Sequence, residues 1–357
     1  MSEKLAIKEN LAYYLPQFHQ IDENDKWWGK GFTEWTQVRS AMKLFKDHQI
    51  LQPYQGDYYN LMNPEIIGEQ YKLAKEHAIT GFCFWHYWFG NGEMLLEKPA
   101  EILIKSNVEA RFCFGWANHS WWNKTENLLL KEQRYLGKED QRKHFMYLLD
   151  FFKDDRYVKI DGKPVFLIFK IYEIPDALEW VRNFRALCKE FGFPDAYIIG
   201  EFCKSQDLND YNLDAVVNSR GMFTNRSFYE KVRDKLIRHK FISESLFNPR
   251  VYSYPKLSPG FNSDETKSDK VLPVIIPRWD STIRHGKNGW LLNGSTPESF
   301  EFHVKAVKKI LSAKDYNNRV VIIKSWNEWA EGNFIEPDDN YNDAYLKVIK
   351  KHFKTTL

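Results

Sequence analysis

Residues 320–337 read Val-Val-Ile-Ile-Lys-Ser-Trp-Asn-Glu-Trp-Ala-Glu-Gly-Asn-Phe-Ile-Glu-Pro, and this stretch decides the fold. It opens with the apolar run Val320–Ile323, which is typical of a parallel strand that is covered on both faces. Two carboxylates, Glu328 and Glu331, follow directly. The residues that frame them are Trp326, Asn327 and Trp329. A strand end with solvated glutamates and core tryptophans is the alternative interpretation.

Seven further apolar runs repeat this pattern, and helix-like stretches fill several of the gaps between them. The predicted strands are residues 11–15, 80–85, 110–115, 165–169, 197–199, 215–217, 272–276 and 320–323. The predicted helices are residues 64–76, 138–152, 177–191, 227–238 and 297–311. This alternation predicts an α/β protein, a closed (β/α)8 TIM-type barrel with long loops at its C-terminal face, and a single domain over residues 1–357. An open doubly wound sheet is the alternative, but no Gly-x-Gly-x-x-Gly turn follows the first run.

The charges of the chain nearly balance, with 51 basic and 48 acidic residues and a formal net charge of +3. This balance implies no field for nucleic acid or for an anionic membrane. The N-terminal residues lack the apolar core of a signal peptide, no apolar stretch is long enough to span a membrane, and the four cysteines form no CxxC pair. We therefore expect a cytoplasmic protein without stable membrane insertion.

Polar and aromatic residues follow the predicted strands, at the end where a barrel gathers its functional side chains. The substrate-binding candidates on this ground are Tyr14, His19, His86, Tyr87, Trp116, Asn118, Glu201, Arg278 and Asp280, with Trp326, Asn327 and Trp329 after the eighth strand. Taken singly, the histidines can be hydrogen-bonded core residues, and Arg278 with Asp280 can be a structural ion pair. His19, His86 and His119 lack the spacing of a zinc site, so we expect no metal.

The long loop after the first strand is dense in tryptophan and glycine. Its residues 25–36 read Asp-Lys-Trp-Trp-Gly-Lys-Gly-Phe-Thr-Glu-Trp-Thr, and they add Trp28, Glu34 and Trp35 to the substrate-binding candidates. A lid that closes over a sugar and a loop that its tryptophans anchor on the barrel are both open interpretations. The Gly-x-Gly here is too short for a nucleotide-binding loop, and we expect no cofactor.

Two carboxylates among aromatic rings suit the chemistry of glycosidic bonds. One acid protonates the leaving oxygen, a second group acts at the sugar, and flat rings stack on its C–H faces. The chain contains 13 Trp, 19 Tyr and 26 Phe, which suits a sugar-stacking groove, although much of this content must form the core. We therefore expect Glu328 and Glu331 to be catalytic and an oligosaccharide or polysaccharide to be the partner.

Five motifs in the same order resemble the WbsX-type proteins, glycosyltransferases of bacterial lipopolysaccharide O-antigen and capsule gene clusters. The domain of these proteins is similar to glycoside hydrolase family 99. The motifs are Tyr14-Leu-Pro-Gln-Phe-His19, Trp27-Trp-Gly-Lys-Gly-Phe-Thr-Glu-Trp35, His86-Tyr-Trp-Phe89, Trp116-Ala-Asn118 and Trp326-Asn-Glu-Trp-Ala-Glu-Gly332. The resemblance covers nearly the whole chain.

Family 99 enzymes are retaining endo-α-mannosidases and mannanases on a (β/α)8 barrel, so the resemblance implies that fold. In that family one glutamate, as general base, helps the 2-hydroxyl of the substrate attack the anomeric carbon, which forms a 1,2-anhydro sugar. A second glutamate protonates the leaving group and then activates water. The family motif Glu-Trp-His-Glu aligns with Glu328-Trp-Ala-Glu331. The resemblance thus implies that Glu328 is the base and Glu331 the acid/base, for which we expect a raised pKa. Ala330 replaces the family histidine, which puts the mannose-specific contacts in doubt.

Three functions stay open. The preferred one is a retaining endo-acting glycoside hydrolase, or a transglycosylase, on an α-linked bacterial polysaccharide. The second is a glycosyltransferase of lipopolysaccharide O-antigen or capsule biosynthesis, associated with the polysaccharide-assembly machinery. The third is a non-catalytic carbohydrate-binding barrel, which the presence of both glutamates disfavours. The acidic triplet at residues 338–340 is a poor metal–diphosphate site, which counts against the second.

Overall fold

The computed structural model describes residues 3–123, 126–218, 226–239, 241 and 249–355. Its central sheet is built from parallel strands that run from the first strand to the last around a barrel. These strands are β1 Glu9–Tyr14, β2 Gly81–Trp88, β3 Phe112–Trp116, β4 Lys163–Ile168, β5 Tyr197–Glu201, β6 Ala215–Val217, β7 in two parts, Val271–Leu272 and Val274–Ile275, and β8 Val320–Ile323. Arg220, which the sequence places after the sixth strand, lies outside the described residues.

The two parts of β7 close the barrel. Val271–Leu272 pairs with β6, Val274–Ile275 pairs with β8, and β8 pairs in turn with β1. Pro273 separates the two parts because proline has no N–H to donate to the ladder, but its carbonyl still accepts from the Ile322 amide at 3.2 Å. The predicted barrel is confirmed, and every predicted strand overlaps an observed one.

Helices surround the barrel and fill its loops. They are α1 Asp22–Trp28, α2 Glu34–Ser40, α3 Pro64–Glu76, α4 Lys98–Lys105, α5 Lys138–Lys153, α6 Ala177–Glu190, α7 Asp207–Asp210, α8 Phe228–Arg238, α9 Tyr254–Leu257, α10 Thr282–His285, α11 Pro297–Ser312 and α12 Ala344–His352. The five helices predicted from sequence correspond to α3, α5, α6, α8 and α11. Caps fix several of their starts; the Ser227 hydroxyl, for example, accepts from the Glu230 amide at the start of α8.

Short strands and 3-10 turns lie in the segments before, between and after the barrel strands and helices. The minor strands are Leu5–Ala6, Met94–Leu95, Trp121–Asn123, Leu128–Lys131, Lys159–Ile160, Arg250–Ser253, Trp290–Asn293, Asn327–Glu328, Asn333–Phe334 and Phe353–Lys354. The 3-10 turns are Tyr54–Gly56, Ile171–Glu173, Ser258–Gly260, Asp264–Lys267, Gly286–Asn288, Tyr316–Asn318 and Trp329–Glu331. Several of them contribute residues to a cleft at the carboxyl end of the barrel, namely Trp121–Asn123, Leu128–Lys131, Ile171–Glu173, Asn327–Glu328, Trp329–Glu331 and Asn333–Phe334. Within the described ranges, no helix has both the length and the apolar character needed to cross a membrane.

Candidate active site

A cleft of about 860 Å³ opens at the carboxyl ends of the barrel strands. Its floor includes Tyr13 and Leu15 from the end of β1 and Trp85 and Tyr87 from β2. The loops after β3 and β7 form its sides, and the loop after β8 brings Glu328 and Glu331 into it. A cleft of this size accommodates a ligand of several hundred cubic ångströms.

The two glutamates lie on a tight hairpin. Asn327–Glu328 pairs with Asn333–Phe334, and the turn Trp329–Glu331 joins them. The Asn327 side chain fixes this hairpin to the first loop, because its Oδ1 accepts from the Leu15 amide at 2.7 Å and its Nδ2 donates to the Leu15 carbonyl at 3.1 Å. Gly332 ends the turn with a φ of 53°, and a Cβ there would lie 2.6 Å from the Asp280 Cβ. The turn therefore requires glycine at this position.

Arg284, on α10, joins two of the carboxylates in the cleft. Its Nη1 donates to Glu331 at 2.9 Å and its Nη2 donates to Glu34 at 2.8 Å. Glu34 also accepts from the amide of Ala330 at 3.0 Å. The first loop, the loop after β7 and the hairpin that carries Glu328 and Glu331 are thus held together by one guanidinium group and one buried carboxylate.

Among the carboxyl groups that line the cleft, Glu328 has a strongly raised pKa. Burial is the main cause of its rise to about 8, the charge of Glu331 adds to it, and Arg284 opposes it. Burial also raises the pKa of Glu34, while Arg284 lowers it. The sequence leads us to expect a raised pKa at Glu331, the carboxylate that is ion-paired with Arg284. The resulting site holds one carboxyl that favours its proton beside one that faces a cation.

Another buried carboxyl, that of Glu336, lies behind the hairpin. It accepts hydrogen bonds from the indoles of Trp326 and Trp329 at 2.7 and 2.6 Å, from the Tyr59 hydroxyl at 3.0 Å and from the Gln70 amide at 2.7 Å. Burial raises its pKa to about 8. The two tryptophans that frame Glu328 in the sequence are therefore held by Glu336 in the core, not presented to the cleft.

Aromatic rings line the cleft on several sides. Trp28, which is 42% exposed, and Trp122, which is 49% exposed, stand at its rim. The remaining Phe, Tyr and Trp residues of the lining are Tyr13, Phe32, Trp85, Tyr87, Trp121, Phe169, Phe202 and Trp279. Rings whose faces are open to solvent beside carboxylates are suited to stacking on a sugar.

Of the residues selected from the sequence, five line the cleft: Trp28, Glu34, Tyr87, Glu328 and Glu331. Three others point away from it, into the layer between the barrel and its helices. Tyr14 donates to Gln70 on α3 at 2.6 Å, His86 lies 2.8 Å from His144 on α5, and the Trp116 indole donates to the Trp88 carbonyl at 3.0 Å. Burial lowers the pKa of His86 to about 3, so this histidine is neutral.

The other candidates support the cleft from beneath. Asn118 braces the loops after β3 and β4 through the Lys170 backbone, at 2.8 and 2.9 Å. Glu201 forms a buried ion pair with Lys324 at 2.6 Å. Arg278 pairs with Asp338 at 2.8 Å and not with Asp280.

Asp280, Trp35 and His19 also contact neighbouring residues of the protein. The Asp280 carboxylate contacts His48 at 2.7 Å, and the Trp35 indole donates to the Tyr59 carbonyl at 2.8 Å. His19 Nδ1 lies 3.0 Å from the Pro16 carbonyl, and burial lowers the pKa of its ring. Among the described residues, no group of three or more His, Cys, Asp or Glu side chains gathers as a metal site would.

The residues that sequence reasoning missed are Arg284, Lys324, Trp85 and Glu336. Lys324 and Trp85 line the cleft and directly adjoin residues that were considered, so reading every position at the strand ends would have found them. Arg284 lies just beyond Asp280 in the loop after β7, but its pairing with Glu34 spans most of the chain and has no local signal.

Residues 10–349 of the chain match the family described as Glycosyltransferase WbsX. Two curated relatives, both called uncharacterized protein WxcX, come from Xanthomonas campestris pv. campestris strains B100 and ATCC 33913. They are 29% identical over 351 and 362 residues, which cover 96% and 97% of this chain. The chain spans about half the length of these relatives, 49% and 50%.

Solved structures of similar shape include a glycoside hydrolase-like protein, with a TM-score of 0.62, 17% identity and coverage of 99% of this chain and 95% of that one. Another is the GH99 endo-alpha-mannosidase from Bacteroides thetaiotaomicron in complex with BIS-TRIS-propane. Its TM-score is 0.56 at 17% identity, with coverage of 97% of this chain and 96% of the other. At this level of identity the likeness concerns the fold.

Proposed function

The chain belongs to the WbsX glycosyltransferase family, and from this premise we propose that it is a retaining endo-acting glycoside hydrolase, or a transglycosylase, on an α-linked bacterial polysaccharide. The observation that carries the proposal is the pair Glu328 and Glu331, open to a cleft with aromatic rims and clamped by Arg284. An open cleft suits internal positions of a polymer. We also propose that the chain acts in the cytoplasm, beside the machinery that assembles the polysaccharide. We also propose that residues 1–357 act as one domain, because the first and last barrel strands pair.

The proposed reaction has two steps. In the first, Glu328 takes the proton of the sugar 2-hydroxyl as its oxygen attacks the anomeric carbon, and Glu331 gives its proton to the departing glycosidic oxygen. In the second, water opens the resulting 1,2-anhydro sugar while Glu331 takes a proton from the water and Glu328 returns one to O2. In the transglycosylase variant a sugar hydroxyl replaces water. Both carboxyl groups end each cycle in their starting states.

The first step needs an ionised Glu328, although the raised pKa of this group favours its protonated form in the ligand-free cleft. A hydroxyl that donates to Glu328 stabilises the carboxylate, so a bound sugar would move the proton from Glu328 to Glu331, which then gives it to the leaving group. The pH profile tests this assignment. If Glu328 is the base, kcat/KM rises as the pH increases through about 8. A kcat/KM that falls through the same range assigns Glu328 as the acid and reverses the two roles.

The deciding experiment compares the wild-type chain with Glu328→Gln and Glu331→Gln on α-linked mannan and on O-antigen fragments, with and without nucleotide sugars. The proposal predicts that the wild type forms shorter products in the absence of a nucleotide sugar, and that NMR shows retained anomeric configuration in them. Neither variant should form these products. Chain growth that depends on a nucleotide sugar would instead support the glycosyltransferase that the family description suggests. Sugar binding without turnover in any mixture would support a carbohydrate-binding barrel.

A further inference from the structure

Helix α8 presents an apolar face to solvent. Phe228 is 84% exposed, Tyr229 is 66% exposed, and Phe241, just past the helix, is 76% exposed. Val232 and Leu236 are also exposed, and their spacing from Phe228 places all three on one side of the helix. Large apolar side chains clustered over so short a segment are unusual on a surface that faces only water.

Two lysines border this face. Lys231 and Lys235 are exposed and lie one turn apart, and within the described ranges neither forms an ion pair. The acidic side chains of the helix are engaged elsewhere. Asp234 pairs with Arg226 and Arg233, and Glu230 accepts from the Ser227 amide in the cap of the helix. The outward surface thus combines an aromatic stripe with a row of positive charge.

The inward side of α8 is the polar one, and it is firmly attached. Arg233 is buried and donates to the Tyr252 hydroxyl at 2.8 Å. The Tyr252 ring packs near Trp290, and Trp290 packs on Trp279 in the wall of the cleft. This anchoring leaves the stripe facing outward, because turning the helix inward would break the Arg233 contact.

We propose that Phe228, Tyr229, Val232, Leu236 and Phe241, with Lys231 and Lys235, form a surface that binds a bilayer containing anionic phospholipid. Helices that lie in a membrane interface combine aromatic and aliphatic residues on one side with lysines beside them, because the rings enter the headgroup region and the ammonium groups reach the phosphates. Two copies facing each other would bring their lysine rows together, so the charge favours an anionic partner over self-association. The inference does not depend on catalysis.

Vesicle sedimentation tests it. The wild-type chain is mixed with vesicles of phosphatidylcholine plus phosphatidylglycerol, and in parallel with phosphatidylcholine alone, and the bound fraction is measured at low and high salt. The double variant Phe228→Ser/Tyr229→Ser should bind the anionic vesicles at least about tenfold more weakly, since the bilayer no longer buries the two rings. Lys231→Glu/Lys235→Glu should weaken binding by a similar factor and remove the salt dependence.

Matched controls come from the same chain. Phe302→Ser removes a ring on α11 that is 72% exposed, and Lys43→Glu/Lys46→Glu makes the same change of net charge at other exposed positions. Both should bind as wild type does, and thermal melting should show that all variants fold. Failure of the wild type to bind anionic vesicles overturns the proposal, as does equal loss in the controls. A soluble dimer that the Phe228→Ser/Tyr229→Ser variant dissociates would also overturn it, in favour of a second copy.

Discussion

Glu328 and Glu336 belong to the same loop, and burial raises the pKa of both to about 8, but their surroundings differ. Glu336 is closed off in the core and accepts from four neutral donors. Glu328 is partly exposed to the cleft, with a second carboxylate and Arg284 beside it. The carboxyl group behind the hairpin thus has all of its hydrogen bonds filled by the protein, while the one in front of it is open to the cleft.

The difference shows that a raised pKa does not identify a catalytic acid or base. Glu336 has no oxygen left for a ligand, because its donors hold both of its oxygens in place. Glu328 faces the cleft and can exchange a proton with a bound molecule. Glu328 differs from Glu336 in its access to the cleft and in its incomplete hydrogen bonding. Substitution of Glu328 should therefore change the kinetics, and substitution of Glu336 should change the stability.

The largest expected effect is kinetic. Glu328→Gln keeps the size of the side chain but cannot take or give the proton, so turnover on the mannan or O-antigen fragment that the wild type cleaves should fall by about 10²- to 10⁴-fold. Its free energy of unfolding should stay within about 1 kcal/mol of wild type, as measured by urea denaturation. If Glu328→Gln instead unfolds readily, and the loss of folded protein accounts for its loss of turnover, then Glu328 is a structural residue as Glu336 is.

Glu336→Leu should show the opposite behaviour. It leaves four buried donors without an acceptor, and each such group costs about 1–3 kcal/mol, so the free energy of unfolding should fall by about 3 kcal/mol or more. Glu69→Leu, at an exposed position of α3, is the control and should change it by less than about 0.5 kcal/mol. Near-wild-type stability of Glu336→Leu would mean that the tryptophan donors do not depend on this carboxylate.

A smaller effect is expected at Arg284, which pairs with Glu331 and Glu34. Arg284→Gln removes the positive charge that lowers the pKa of Glu328, so the kinetic pKa of that group should move up from about 8. Turnover should fall by about tenfold, because Glu331 and Glu34 are then held by weaker neutral contacts. The measurement is a pH series of kcat/KM. Arg284→Lys should restore the position of the pKa better than it restores turnover, since lysine supplies the charge without the two-pronged geometry.

The smallest effect concerns the rim. Trp122→Ala should raise KM by about threefold to tenfold with little change in kcat, as expected for the loss of one ring that stacks on sugar. Phe302→Ala, an exposed ring distant from the cleft lining, serves as the control. A drop in kcat with an unchanged KM would place Trp122 in the chemistry and not in binding.

The barrel could be predicted because its strands are continuous apolar runs whose order follows the chain. The short sixth strand, Ala215–Val217, was found by the same criterion despite its polar neighbours. What the sequence could not supply was the direction of each side chain. Successive residues of a strand point to opposite faces, so Trp85 and Tyr87 line the cleft while His86, between them, packs against α5.

The candidate site was predictable where function and chain position coincide. Glu328 and Glu331 directly follow a strand, and Glu34 stands in a loop rich in tryptophan. Their shared partner Arg284 was not predictable, because the contact depends on how three separate loops meet above the barrel. The roles of Trp326 and Trp329 were equally hidden, since only the position of Glu336 shows that these rings belong to the core.

The hairpin that carries Glu328 is held to Leu15, near the opposite end of the chain. Closing this contact encloses almost the entire sequence in a single loop, which makes it one of the most entropically demanding steps in folding. During synthesis, Leu15 emerges early and must wait for Asn327. The cleft is therefore completed only after the loop that follows β8 has left the ribosome, and a barrel at an earlier stage of synthesis lacks the hairpin that carries Glu328 and Glu331.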